Sequence, residues 1–295
     1  MKLRVGTRGS DLALAQTRLV MDALQALRPE LVFEQVVIQT HGDEYLGQFG
    51  DEHWPVGGFV SAIEQALLAD RIDVAVHSYK DLPTNETPGV TIAAVPQREV
   101  AHDVLVTAVP IVFEAPPDRL RIGTSSARRA AQLRRVLPKV EIVPIRGNVP
   151  TRLAKIAAMG LDGVVLAGAG LRRLQLNPPH LLPLPTDRFV PAPGQGALAV
   201  QVRSGHDASV VQPLDHPPTR RAVEAERSFL RTLGAGCQTP AAALAATDAR
   251  RIYLHGQLFT PDGADMVDAV EIGTDPTEVG RQLAEHLARE LLGDR

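Results

Sequence analysis

Apolar and polar positions along the chain change period several times, and the changes mark out its elements. Residues 3–6 read as a short strand. Ser10 then caps a helix running to residue 27, with Leu12, Ala15, Leu19, Ala23 and Leu27 on one stripe. Residues 31–38 predict a second strand and 59–69 a second helix. Residues 72–76 are an apolar run that reads as a buried strand ending in His77-Ser78. The order β-α-β-α-β predicts a parallel, doubly wound sheet. Residues 40–58, polar and glycine-bearing, form a loop of the length that usually has a function.

The pattern then repeats. Strands are expected at 104–107, 121–123, 140–145 and 163–167, and helices at 126–136 and 149–158. A proline-rich connection, 177–193, leads to an apolar strand at 197–202, which is expected to return to the first sheet. The last third changes character. A helix at 219–233 precedes alternating strands at 252–259 and 266–272 around the turn Pro261-Asp262-Gly263, and an amphipathic helix covers 278–292. The fold class is therefore α/β, with two doubly wound lobes and a small α+β domain at the carboxyl end. The expected division is 1–98 with 195–215, then 99–194, then 216–295.

Composition narrows the functional classes. Hydrophobic residues make up 44% of 295, ordinary for a chain with real cores, and aromatics only 4%, so base-stacking platforms are scarce and nucleic-acid binding is disfavoured. No apolar run approaches the ~18 residues of a membrane span. The amino terminus lacks the apolar stretch of a signal peptide, which points to the cytoplasm. Four of the 31 basic residues are lysines, at 2, 80, 139 and 155, and the rest are arginines. Arginine forks carboxylates and phosphates where lysine acts as a point charge.

The arginines fall at strand-to-helix turns. Gly6-Thr7-Arg8-Gly9-Ser10, Gly123-Thr124-Ser125-Ser126-Ala127-Arg128-Arg129 and Arg146-Gly147-Asn148-Val149-Pro150-Thr151-Arg152 each combine hydroxyl or amide caps, helix-start N–H groups and guanidiniums. Ala169-Gly170-Leu171-Arg172-Arg173 adds a fourth. In parallel sheets such turns gather at the carboxyl edge, where anions bind. Arg8, Arg128, Arg129, Arg146, Arg152 and Arg173 would suit a ligand with many carboxylates. Asp81, in His77-Ser78-Tyr79-Lys80-Asp81-Leu82-Pro83, is a carboxylate among these cations, placed to stabilise a developing cation or carry a proton. The nine histidines show no metal-ligand pairing, so no metal is expected, and the glycines match no nucleotide-binding pattern. Cys237 is the only cysteine, so it forms no internal disulfide; a functional role for it would be covalent. Two rival readings remain on residues alone: a non-catalytic two-lobed anion-binding protein, and a transferase with a cysteine nucleophile and a histidine base.

Seven segments, taken in order, resemble the porphobilinogen deaminase (hydroxymethylbilane synthase) family. They are VGTRGSDLALAQ, HSYKDLP, IGTSSARRAAQL, IRGNVPTRL, AGLRRL, PGQGAL and LGAGCQTP, and they span residues 5–240. The resemblance implies two lobes like class II solute-binding proteins plus a third domain, and a cytoplasmic, monomeric transferase of porphyrin and heme biosynthesis. It implies a dipyrromethane cofactor attached to Cys237 through a thioether. Four porphobilinogen molecules would be condensed on it stepwise, with loss of ammonia, and hydroxymethylbilane released by hydrolysis. Asp81 matches the catalytic aspartate. Arg8, Ser10, Lys80, Asp81, Thr124, Ser126, Arg128, Arg129, Arg146, Gly147, Arg152, Arg173 and Gln195 match cofactor-binding positions. Arg8, Ser10, Arg146, Arg152, Arg173 and Phe59 match substrate-binding ones. The chain departs from the family pattern in the long loop. Thr40-His41-Gly42-Asp43 stands for T-R-G-D and Pro55-Val56-Gly57-Gly58-Phe59 for G-K-G-L-F, with two positive charges lost.

Overall fold

A computed structural model describes residues 2–39, 58–112, 119–206, 208–234 and 240–293, without the side chains of 58, 59 and 292. The chain divides into two compact units, Met1–Glu99 with Ala197–Arg220, and Val100–Gly196 with Arg221–Arg295. In chain order the first unit holds β1 (Lys2–Thr7), α1 (Asp11–Leu27), β2 (Val32–Val37), α2 (Gly58–Leu68), β3 (Val74–Ser78) and β4 (Val90–Ala94). The second unit continues with β5 (Asp103–Thr107), β6 (Arg121–Gly123), α3 (Ala127–Val136), β7 (Glu141–Val143), α4 (Val149–Ala158), β8 (Gly163–Ala167), α5 (Gly168–Arg173) and β9 (Leu181–Pro183). After β10 (Leu198–Arg203) come α6 (Pro217–Thr232), β11 (Ala241–Thr247), β12 (Ile252–Phe259), β13 (Met266–Gly273) and α7 (Pro276–Leu292).

The two α/β sheets run β2-β1-β3-β10-β4 and β7-β6-β8-β5-β9. They follow the same plan, as expected of two doubly wound lobes, but neither is wholly parallel. β10 is antiparallel to both β3 and β4, and β5 is antiparallel to both β8 and β9. These two strands directly follow the segments in which the chain changes unit, with no crossover helix before them. A parallel neighbour needs such a crossover. The third sheet, β11-β12-β13, is an antiparallel meander.

Three strands escape the sequence pattern. β4 and β9 are short and lie beside prolines. β11, Ala-Ala-Ala-Leu-Ala-Ala-Thr, has the composition of a helix, and pairing with β12 along its whole length overrides that preference. The stripe expected on α1 also needs correction. Leu19 and Leu27 are about half exposed, and the buried residues are Gln16, Thr17, Val20 and Leu24. The docked face carries two polar side chains whose hydrogen bonds are made inside the fold: Thr17 Oγ1 donates to Ala13 O at 2.9 Å, and Gln16 pairs with Ser78.

The cores are aliphatic. Val5, Val20, Leu24, Val76 and Val200 pack one face of the first sheet, Leu105, Ile122, Leu133 and Phe189 one face of the second, and Phe229, Ile252, Leu254 and Leu283 the carboxyl-terminal sheet. Gly280 lets α7 approach α6 closely, since a Cβ there would lie 2.3 Å from Ala225 O and 2.7 Å from Phe229 N. That contact seats α6, the helix leading to Cys237.

Candidate active site

In the first unit, two turns share one sheet edge. β1 and β3 are parallel neighbours, so the turn after β1, with Arg8 and Ser10, lies beside the turn after β3, with Lys80 and Asp81. Ser10 caps α1, accepting from Ala13 N at 3.4 Å. Tyr79–Asp81 is one turn of 3₁₀ helix. Buried Tyr79 and Leu82 flank Asp81, Tyr79 N donates to Ala197 O at 3.0 Å, and the buried Gln16 amide bonds Ser78 Oγ at 2.9 Å. Asp81 itself is exposed. A carboxylate is thus held in solvent on a short turn anchored at both ends.

The same unit holds a buried polar chain. Glu64 on α2 accepts from Thr87 Oγ1 at 2.7 Å and from Gln201 Nε2 at 3.0 Å. His77, one strand away, is buried, and burial is the main reason its ring is held down to about 4, with Gln201 opposing. The unfolded chain protonates His77 near its ordinary value of 6.5 and the folded protein only near 4. Between these values the unfolded state binds more protons, so stability rises with pH and is lost as pH falls through the window. His77 alone is expected to remove roughly 3 kcal/mol over that interval. Urea unfolding at a series of pH values checks this, and His77→Gln should lack that part of the slope.

In the second unit, β7, β6 and β8 are parallel neighbours, and the turns that follow them gather at one edge. After β6, Thr124 is buried and its Oγ1 accepts from Ser126 N at 3.2 Å, while Ser126 caps α3. Ser125 Oγ donates to Ile145 O at 2.7 Å, joining this turn to the one after β7. There Arg146 is exposed, and Gly147 has φ +115°, where a Cβ would lie 2.7 Å from Thr151 Cγ2. Asn148 caps α4, accepting from Thr151 N at 2.9 Å, and Arg152 Nε donates to Gly147 O at 2.8 Å. After β8, Arg173 ends the short helix α5, where the sequence suggested a turn, and its Nη2 donates to Gly196 O at 2.6 Å.

Arg128, Arg129 and Gln195 have a different setting from the exposed arginine. All three are buried and converge on Asp103 at the start of β5. Arg128 Nη1 lies 2.8 Å from Asp103 Oδ2, Arg129 Nη2 donates to Oδ1 at 2.8 Å, and Gln195 Nε2 donates to Oδ1 at 2.8 Å. Burial works against the Asp103 charge, but the two guanidinium charges, with hydrogen bonds from Arg129 and Gln195, outweigh it and hold the carboxyl well below the usual carboxylate range. Arg128 is pushed down by its own burial first, with Asp103 opposing, and it stays a cation.

Two carboxylates therefore join the site residues that the motifs suggested. Asp103 opens an apolar strand, a charged residue where a core position is expected, and that was its signal. Glu226 falls on the apolar stripe of α6 with Ala222 and Phe229. It is fully buried, accepting from Gly194 N at 2.6 Å and from Ala245 N at 2.8 Å. It ties the Pro193–Gly196 turn to β11. Cys237, the Phe59 side chain, His41 and Val56 lie outside the described residues.

This is an α/β protein whose first unit holds an exposed carboxylate beside cationic turns and whose second unit gathers helix starts and arginines of its own. The donor set fits a group bearing several carboxylates. No group of three or more metal-ligating side chains occurs among the described residues, and no described helix is long and apolar enough to cross a membrane.

Comparison with known proteins supplies the family. Residues 3–211 match the model of the porphobilinogen deaminase dipyromethane cofactor binding domain, and 220–289 that of the porphobilinogen deaminase C-terminal domain. Porphobilinogen deaminase of Thermus thermophilus is 44% identical over 98% of this chain and 94% of that protein. Those of Moorella thermoacetica and Syntrophus aciditrophicus are each 42% identical, over 100% and 97% of this chain and 95% and 98% of those proteins. The effector-binding domain of BenM with benzoate is a remote structural neighbour, with a TM-score of 0.41 and 15% identity over 71% of this chain and 86% of that one. The chain belongs to the porphobilinogen deaminase family. It is a transferase of tetrapyrrole biosynthesis that condenses four porphobilinogen molecules stepwise, with loss of ammonia, and releases hydroxymethylbilane. Its cofactor is dipyrromethane, and Cys237 is the one thiol in the chain to carry it.

Proposed function

We propose that Asp81 is the catalytic residue of this transferase. Loss of ammonia from porphobilinogen leaves a cationic azafulvene, and an anion at the reacting carbon lowers the barrier to forming it. Asp81 is the carboxylate with the right setting: exposed, on a turn anchored by buried neighbours, beside Lys80 and the Arg8 turn. That setting is the observation that carries the assignment. An acid already placed by an anchored turn needs little reorganisation as charge develops.

The carboxylate-bearing groups fall to the arginine turns. Cofactor acetate and propionate groups are held by Arg8, Arg128, Arg129, Arg146, Arg152 and Arg173, by Ser10 and the helix starts at Thr124, Ser126 and Gly147, and by Lys80 and Gln195, with Asp81 on the cofactor's pyrrole N–H groups. Substrate carboxylates are met by Arg8, Ser10, Arg146, Arg152 and Arg173, with Phe59 against the pyrrole ring. When bound, the dipyrromethane supplies the free pyrrole carbon at which the first new bond forms. Arg8 and Ser10 orient the incoming unit, while Asp81 holds its pyrrole N–H.

Three domains serve this division of labour: 1–98 with 195–215, then 99–194, then 216–295. The working enzyme is a cytoplasmic monomer, with porphobilinogen as its small-molecule substrate and neither nucleic acid nor membrane as partner. The single cysteine suits a reducing compartment. Incubating the purified protein with porphobilinogen should release one ammonia per pyrrole consumed and yield a linear tetrapyrrole. Consumption of porphobilinogen without ammonia would sink the reading.

A further inference from the structure

We infer that Asp103 is a positioning residue of this enzyme: its buried carboxylate orients the Arg128 and Arg129 guanidiniums and, as one negative charge against two positive, keeps them receptive to one cofactor carboxylate. The inference rests on the reading of Arg128 and Arg129 as cofactor-holding residues.

The charge count is unusual for a protein interior. Arg128 is 5%, Arg129 7% and Asp103 1% exposed, so three charges sit together almost without solvent. Buried charges persist when they are paired and hydrogen-bonded. Further hydrogen bonds hold both guanidiniums in place. Arg128 Nη1 donates to Gln132 Oε1 at 3.0 Å and to Val190 O at 2.9 Å while lying in ion-pair range of Asp103 Oδ2, and Arg129 Nη1 donates to Val165 O at 3.1 Å. Counted over Arg128, Arg129 and Asp103, the group is left one anion short. Arg129 Nε is buried and has no hydrogen-bond partner among the described residues. A second acid in place of Gln195 would neutralise the group and remove its attraction for a carboxylate. No acid at all would leave two like charges facing each other in a low dielectric. One acid gives both order and residual affinity.

Gln195 extends the arrangement. Its Nε2 is shared between Asp103 Oδ1 and Ala101 O, at 2.8 and 2.7 Å, while the preceding Gly194 N is held by Glu226. The turn carrying Gln195 is therefore fixed from the arginine side by Asp103 and from α6 by Glu226. Asp103 touches no reacting atom in this scheme. It acts through the two arginines.

Asp103→Ala, purified as the holoenzyme, tests the idea. Its kcat should fall at least about tenfold with KM for porphobilinogen within about twofold, because transition-state positioning rather than substrate capture is lost. Added formate, which can occupy the vacated carboxylate position, should restore most of the turnover, and formamide, neutral and similar in shape, should not. Unchanged kcat in Asp103→Ala, or equal recovery with formamide, would overturn the inference. Should the alanine variant fail to fold, Asp103→Asn combined with Arg128→Gln keeps the buried charge at one positive and should restore a folded protein, read by thermal unfolding rather than by cofactor content. A double variant that stays unfolded would also overturn the inference. Arg128→Gln and Arg129→Gln made singly test the underlying reading. Full cofactor mass and normal turnover in both would refute the arginine assignment whatever Asp103 does.

Discussion

Purified Cys237→Ser protein is expected to have the mass of its sequence alone, to give no colour with Ehrlich's reagent, and to release no ammonia from porphobilinogen. The wild-type protein should be heavier by two linked pyrrole units and should colour. The chain has one thiol, and a serine hydroxyl is a far weaker nucleophile than a thiolate at neutral pH. Without a primer there is no acceptor for the first condensation. The thiol is thus a permanent anchor whose reactivity matters once, during assembly. Intact-mass measurement of both proteins decides the matter. A Cys237→Ser protein that keeps the extra mass would move the attachment elsewhere.

Asp81→Asn should lower turnover by about 10²- to 10⁴-fold, the range for removing one well-placed charged group from a transition state. Folding stability should change by no more than about 0.5 kcal/mol, because the side chain is exposed and its neighbours Tyr79 and Leu82 provide the anchoring. The variant should still carry its cofactor mass. Steady-state rates of ammonia release, set beside thermal unfolding of the same preparation, separate the two effects. Near-normal turnover would remove Asp81 from its role. A large loss of stability would show that the turn itself had been damaged.

These two residues illustrate how much could be read without coordinates. Asp81 and Cys237 stand in short, specific segments, and the chemistry of a lone thiol or of a lone acid among arginines is local. The Asp103 group was not legible in that way. Arg128 and Arg129 carry the same sequence signature as the exposed Arg146: a capped helix start after a strand. What separates them is a carboxylate 25 and 26 residues earlier in the chain, which pairing of β5 with β8 brings beneath α3. Glu226 was similarly hidden, since its partners Gly194 and Ala245 lie 32 and 19 residues away.

Alternating periods, helix caps and arginine-bearing turns determined by themselves most elements, the two repeated α/β halves and the family, because those signals depend on neighbours within a few positions. Only the tertiary structure decided that β5 and β10 run against their sheets, that an alanine-rich segment is a strand, that α1 docks through Gln16 and Thr17, and which arginines are buried. Each of these depends on hydrogen bonds and desolvation between residues distant in sequence. A buried polar group must find its partner wherever the fold supplies one.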